Sequence, residues 1–310
     1  MTTKRGKRWV EAEIARLDPE VDYEKIISLI VGYQLNEFVL NLSYAVSFMN
    51  VIQASHGSET LMHTRKVVDH QQKRFDDSLD YLVEWYVLGP SHERVRKSVT
   101  RLNRRHMAIA KQLPGYFADH DDFIQPLALM ALFSHRLRIS VGLPGMPDNL
   151  QVAFHHWLRD LSKLFETETG PIQGFPEDFD GIVTFAEKFE NRDYPTTEHG
   201  RTSAAALVQQ FVERWFPRPL RPAGRTIVLT VTPEKVRRVH GLPDPNPVGA
   251  RLVRLGFRLL LSAQERFLPD SSTLISERRA TDKYREQRGI RAAGDAAAAT
   301  RAGAGAATRA

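Results

Sequence analysis

KRFDDSLDYLVEWYVLGPSHERVRKSVTRLNRRHMAI, residues 73–109, reads as two helices joined at a Gly-Pro step. Its first half, FDDSLDYLVEWYVL at 75–88, repeats apolar residues at the spacing of an amphipathic helix. Gly89-Pro90 stops that helix, and Ser91 is a candidate N-cap for the next. In the second half, at 100° per residue, Val95, Val99, Leu102, His106 and Ile109 share one narrow arc. Arg94, Lys97, Arg101, Arg104 and Arg105 fall on the other side. The reading is a helical hairpin whose second arm turns one histidine inward and its cations outward. An inward histidine must satisfy a polar nitrogen. Two readings stand: a core histidine bonded to a neighbour, or a ligand or proton-transfer group in an internal pocket.

The same punctuation extends outward. A helix begins at Tyr23 after Asp18-Pro19, and a long apolar helix is expected at about 34–54, broken by His56-Gly57. Leu113-Pro114-Gly115 ends the helix that carries His106. Asp121-Asp122 opens FIQPLALMALFSHRL, with acids at the positive end of the helix dipole and Pro126 in its early part, at the first turn or a kink. Helices follow at about 149–166, 178–191, 202–215 and 248–268. Seven prolines between Pro217 and Pro247 mark a wrapping connection. RTIVLTV at 225–231 is the one β-branched run, readable as a strand or as a buried helical turn. No internal repeat is present. The fold class expected is all-α: one large helical domain over 21–270, an N-terminal arm at 1–20, and a disordered basic Ala/Arg/Gly-rich tail at 271–310.

The bulk numbers narrow the chemistry. With 310 residues and 42% hydrophobic content, the chain can bury a large core. It has no cysteine, which excludes disulfides, thiolate zinc sites, iron–sulfur clusters and a cysteine nucleophile. The basic N-terminus lacks an apolar core of signal-peptide type. The stretch from Leu29 to Ile52 is interrupted by Gln34, Asn36, Glu37, Asn41 and Asn50 and would span a bilayer poorly. A soluble, cytoplasmic protein is expected. Of a net charge of +6, residues 271–310 contribute +4 through eight Lys/Arg against four Asp/Glu. The rest is nearly neutral, so a specific nucleic-acid partner is not expected. GxGxxG, P-loop, GxSxG, Glu-x-x-His and His-Glu-x-x-His patterns are absent. His56, His63 and His70 are spaced by seven and read mainly as exposed. His155-His156, being adjacent, point about 100° apart. Arg251, Arg254 and Arg258 share a face of the last long helix, either solvated or a docking surface for anionic lipid.

Residues 73–109 resemble the central block of the mpaB-type oxygenases, a group related to the rubber oxygenase (latex clearing protein) catalytic domain. The family pattern of Lys-Arg-aromatic-Asp-Asp-Thr, a helix, Gly-Pro, then Arg-x-Asn-Arg-x-His is matched by Lys73, Arg74, Phe75, Asp76, Asp77 and Ser78, by Gly89-Pro90, and by Arg101, Asn103, Arg104 and His106. DHDDFIQPLAL is similar to the family's Asn-Asp-Asp-Phe-Leu-Tyr block. GFPEDFDGIVTFAEKFENRDYPTTEHGR, WFPRPLRP and VHGLPDPNP resemble later segments. The likeness runs over about residues 22–268 and departs from the family at Gln125–Met130.

The resemblance implies a globin-like helical domain and an oxygenase that oxidises or cleaves a hydrophobic, isoprenoid-like substrate with O2, with haem b as cofactor and an electron donor as partner. Carried onto this chain, the family's haem-ligating histidine falls at about Leu127, with His135 one or two turns later. His106 is the first candidate for the metal ligand because its stripe faces inward, with Arg101 and His135 as further cofactor-binding residues. Arg74, Asp77, Asn103 and Asp122 are the catalytic candidates. Asn103 would orient His106, and Arg74 and Arg101 would pair with propionates or with nearby aspartates. The alternatives are a non-catalytic protein of the same fold that holds a hydrophobic ligand, and a protein held at a membrane surface or polyanion by its basic helix and tail.

Overall fold

A computed structural model describes residues 7–281. The chain is all-α: α1 (Trp9–Ile14), α2 (Tyr23–Leu29) continuing into a π-turn (Ile30–Gln34), α3 (Glu37–Val51), α4 (Ser55–His63), α5 (Lys66–Asp69), α6 (Gln71–Leu88), α7 (Glu93–Ala110), α8 (Asp121–Ser140), α9 (Asp148–Ser162), α10 (Phe179–Glu190), α11 (Glu198–Trp215), α12 (Arg221–Val231), α13 (Glu234–Val239), α14 (Pro247–Arg266) and α15 (Ile275–Ala280). The only strands among the described residues are a two-residue ladder, Glu166–Thr167 against Gly170–Pro171.

The hairpin is present as α6 and α7. Gly89 takes φ 79°, a conformation glycine adopts without strain, and there the first arm ends. The cap of α7 is His92, whose Nδ1 accepts from the Arg94 amide, while Ser91 is bound instead to Glu24 through its amide and hydroxyl. The inward stripe is also present: Val95 and Val99 are fully buried and Leu102, His106 and Ile109 half-buried, with the five cations of the other face exposed. RTIVLTV belongs to α12, its Val228 and Leu229 buried on one side of a helix. Pro126 falls in the second turn of α8, which continues through it.

Three expectations need correction. The break after the long apolar helix lies at residues 52–54, and Gly57 is inside α4. A Cβ on Gly57 would stand 3.2 Å from the Val51 carbonyl oxygen, so glycine lets the start of α4 close against the end of α3. Within the expected N-terminal arm, the described residues from 7 onward belong to the domain. Val10 and Ile14 are in the core, and the Val10 amide donates to Asp270 at 2.8 Å. Nor is 271–310 uniformly outside the domain. Ile275 is buried, and Arg279 of α15 pairs at 3.1 Å with Glu37 of α3. The expected disorder of 282–310 lies outside the described residues.

The core has two clusters. One gathers α2, the C-terminal half of α6, α7, α9 and the N-terminal half of α8; the other gathers α3, the N-terminal half of α6, the end of α8 and α11. Both clusters draw on α6 and α8, so these two helices form the seam between them. Among the described residues no single helix is long and apolar enough to cross a membrane. The segment from Tyr23 to Val51 is bent by 112° between Gln34 and Glu37.

Candidate functional site

Four helices close a ring along that seam. α3 meets α6 where the Arg74 guanidinium donates to the Tyr44 hydroxyl and lies 4.5 Å over the Phe48 ring. α6 meets α7 through Trp85 Nε1, which donates to Ser98 Oγ at 2.6 Å, and through Arg105 over the Tyr81 ring. α7 meets α8 where the His106 ring packs edge to face on Phe123, centroids 5.8 Å apart. α8 returns to α3 through Gln125 Nε2, which donates to Asn50 Oδ1 at 2.8 Å. Tyr86 of α6 donates to the Met130 carbonyl and ties α6 to α8 across the ring.

Helical spacing places Arg74, Ser78 and Leu82 on one stripe of α6, Leu102 and His106 on one stripe of α7, and Phe123 and Met130 on one stripe of α8. All but Phe123 are half-buried, as is Phe48 of α3. The two helices touch at Trp85–Ser98 and Tyr81–Arg105, so His106 lies near the level of Tyr81 and Arg74 stands about 10 Å farther along α6.

His106 is the unusual group. Its ring stacks on Phe117 with centroids 4.9 Å apart and meets Phe123 at its edge. Nδ1 is sealed from solvent and has no hydrogen-bond partner among the described residues. Because the ring is half-buried, Nε2 is its accessible nitrogen. Burial in this aromatic setting lowers its pKa to about 4, so the imidazole is neutral at physiological pH. Asn103, one turn earlier, does not hold it. Asn103 Nδ2 donates to the Leu164 carbonyl at 2.9 Å, and its Oδ1 is buried without a partner.

The other sequence candidates are dispersed. Arg101 is exposed and borders a surface hollow of about 430 Å³ with Asp80, Tyr81, Glu84, Arg94 and Arg279. It lies about 140° around α7 from His106, so a group bound at His106 would not meet it. Asp77 is exposed and pairs with Lys73 at 2.9 Å, an ordinary i, i+4 ion pair. His135 accepts from the Met146 amide at Nδ1 (3.1 Å) and so carries its proton on Nε2, with its ring over Gly145. A neutral imidazole in that tautomer has no free lone pair for a metal.

Asp122 has a partner that sequence reasoning missed. His56 Nε2 donates to Asp122 Oδ2 at 2.5 Å, and this bond raises the His56 pKa against the opposing effect of burial. Tyr116 stands edge-on to His56 and donates to Glu59, one turn along α4. One turn inward from Asp122, a buried chain runs from Gln125 to Asn50 to Glu190 (2.6 Å), where Arg136 also binds at 2.5 Å. Gln125 Oε1 and Gln53 Oε1 are buried beside it without partners. His63 and His70 are exposed, as expected.

A single axial imidazole is what a haem iron needs from the protein. His106 meets that need with a neutral ring and an accessible, unpartnered nitrogen. His135 and Arg101 do not fit the roles expected of them. No group of three or more metal-ligating side chains is present among the described residues. No protein-family model matches the chain, and no curated protein matches it.

Proposed function

We propose that the protein is an oxygenase-type oxidoreductase that acts on a hydrophobic, isoprenoid-like molecule within the α3–α6–α7–α8 ring. The observation that carries this reading is His106 itself: a neutral imidazole set between aromatic walls, its Nδ1 sealed and its Nε2 without a partner among the described residues. Haem, held by His106, would supply binding and activation of O2.

The chain's own residues do the rest. Leu82, Leu102 and Met130, half-buried against the same core cluster as Phe117 and Phe123, would supply the apolar surface for an unsaturated chain. Phe117 and Phe123 fix the plane of the His106 ring. Arg74, held by the Tyr44 hydroxyl and the Phe48 face, would offer a positive charge to an anionic or strongly polar group. In the peripheral pair, the bond to Asp122 favours the protonated form of His56 against the opposing effect of burial.

Titration of the purified protein with haemin, followed by absorbance, tests the assignment. The wild type is expected to develop a Soret band at a one-to-one ratio, and His106→Ala to lose it while keeping its helical circular dichroism. A Soret band that survives in His106→Ala, or saturable binding of an isoprenoid with no haem binding at all, would replace the oxygenase with another ligand or with a carrier protein.

A further inference from the structure

α14 is unlike every other long helix among the described residues. Its Ala250 and Phe257 are buried, and it is fastened by α12 and by Glu265, which pairs with Arg138 of α8. Its opposite face is apolar as well. Val248, Leu252, Leu255 and Leu259 are 52–65% exposed, and Phe267 and Leu268 continue the exposed apolar surface past the helix end. At 100° per residue the four aliphatic side chains fall within an arc of about 60°. Exposed leucines scattered singly are ordinary; a continuous row along a helix of about 30 Å is not.

The charge beside this row tells what covers it. Arg251, Arg254 and Arg258 line one flank and Arg266 stands at the end, and none of them pairs with a carboxylate among the described residues. Glu265, the only acid on the helix, is already engaged. A second copy of this helix would bring more arginines and no free carboxylate. The residues after 281 are themselves basic in composition. A leucine row with an unpaired arginine flank complements a surface that is apolar inside and anionic at its rim.

We infer that α14 is an interfacial helix that lays its Val248–Leu252–Leu255–Leu259 row into the acyl boundary of an anionic phospholipid bilayer, with Arg251, Arg254, Arg258 and Arg266 at the phosphate level. The helix lies in the plane of the membrane. No described helix crosses it by length and composition. The inference does not depend on any chemistry in the helical ring.

Flotation of the full chain with vesicles tests it. Phosphatidylcholine vesicles are compared with vesicles of phosphatidylcholine and phosphatidylglycerol in equal parts. The wild type is expected to float with the anionic vesicles and to stay behind with the neutral ones. A Leu252→Ser/Leu255→Ser/Leu259→Ser variant keeps its fold because these side chains are exposed, and it should bind at least roughly tenfold more weakly. Arg251→Gln/Arg254→Gln should lose on the order of fivefold per arginine. Absence of flotation with either vesicle overturns the inference. So does binding that the leucine substitutions leave unchanged, which would assign it to the basic C-terminal residues, or a wild-type dimer that the same substitutions convert to monomer.

Discussion

Arg279 and Glu37 form an ion pair at 3.1 Å between the two ends of the domain, with both side chains 4% exposed. Arg214 donates to the same carboxylate from α11, and Asp76 and Asp80 lie on the outer side of the two guanidiniums. The group sits where α15 crosses α6 and the start of α3. Removing one member leaves a buried charge without its counter-charge. Arg279→Ala should therefore destabilise the protein by roughly 3 kcal/mol, read from the urea midpoint. Arg96→Ala, on the exposed face of α7, is the control and should change the midpoint little.

The same pair distinguishes two truncations. A chain ending after residue 281 keeps α15 with its Ile275 and Arg279 contacts. One ending after Pro269 loses Ile275, Arg279 and the Asp270 carboxylate that accepts from the Val10 amide, and should unfold at a clearly lower denaturant concentration. Equal midpoints would mean that α15 adds nothing to the domain.

His106 makes stability depend on pH in a stated direction. Its folded pKa is lowered to about 4 by burial, below the value of about 6.5 in an unfolded chain. The unfolded state therefore binds the proton first. The stability due to neutral His106 is complete above pH 6.5 and is lost as pH falls from 6.5 to 4, a span on the order of 3 kcal/mol. His106→Leu should lack this component. The stability of the wild type relative to that variant should be flat above the window and fall steadily as pH drops through it. Parallel curves would contradict the burial of the ring.

His56 runs the other way. Its bond to Asp122 raises its folded pKa, so the contribution of the pair is present below the unfolded value and lost as pH rises through the folded one. In Asp122→Asn the His56 ring signals, followed by NMR, should titrate at lower pH than in the wild type. An unchanged titration would mean that the two side chains do not meet in solution.

Gly145 reports on His135. A Cβ there would lie 2.5 Å from His135 Cε1, and the Met146 amide that follows is bound to the ring. Gly145→Ala should displace the imidazole and destabilise by about 1–3 kcal/mol, as overpacking does. Haem binding should be unaffected, because His135 has no free lone pair to offer.

The fold was legible where its signals are local. Gly89-Pro90, the acids at 121–122 and the apolar stripe of α7 each act within a few residues, and the helices they delimit are present. What depends on distant pairing was not legible. His56 lies 66 residues from Asp122, and neither residue carries a mark of the other. Residues 271–281 read as tail because only Ile275 and Arg279 are deeply buried there, in an otherwise polar stretch. The candidate site shows the same division. The inward turn of His106 was readable because the apolar stripe of its own helix sets it. Arg101, five residues from His106, lies on the opposite, exposed face, as the helical wheel places it; its assignment to the same bound group came from the family pattern and not from the helix.

The proposed oxygenase site stands or falls with the binding of haem at His106. The UV–visible absorption spectrum of the purified protein, taken with iron analysis after expression with haem in ample supply, decides the matter. A Soret band and iron close to one equivalent per chain are expected. A colourless, iron-free protein with the full helical signature would contradict the assignment.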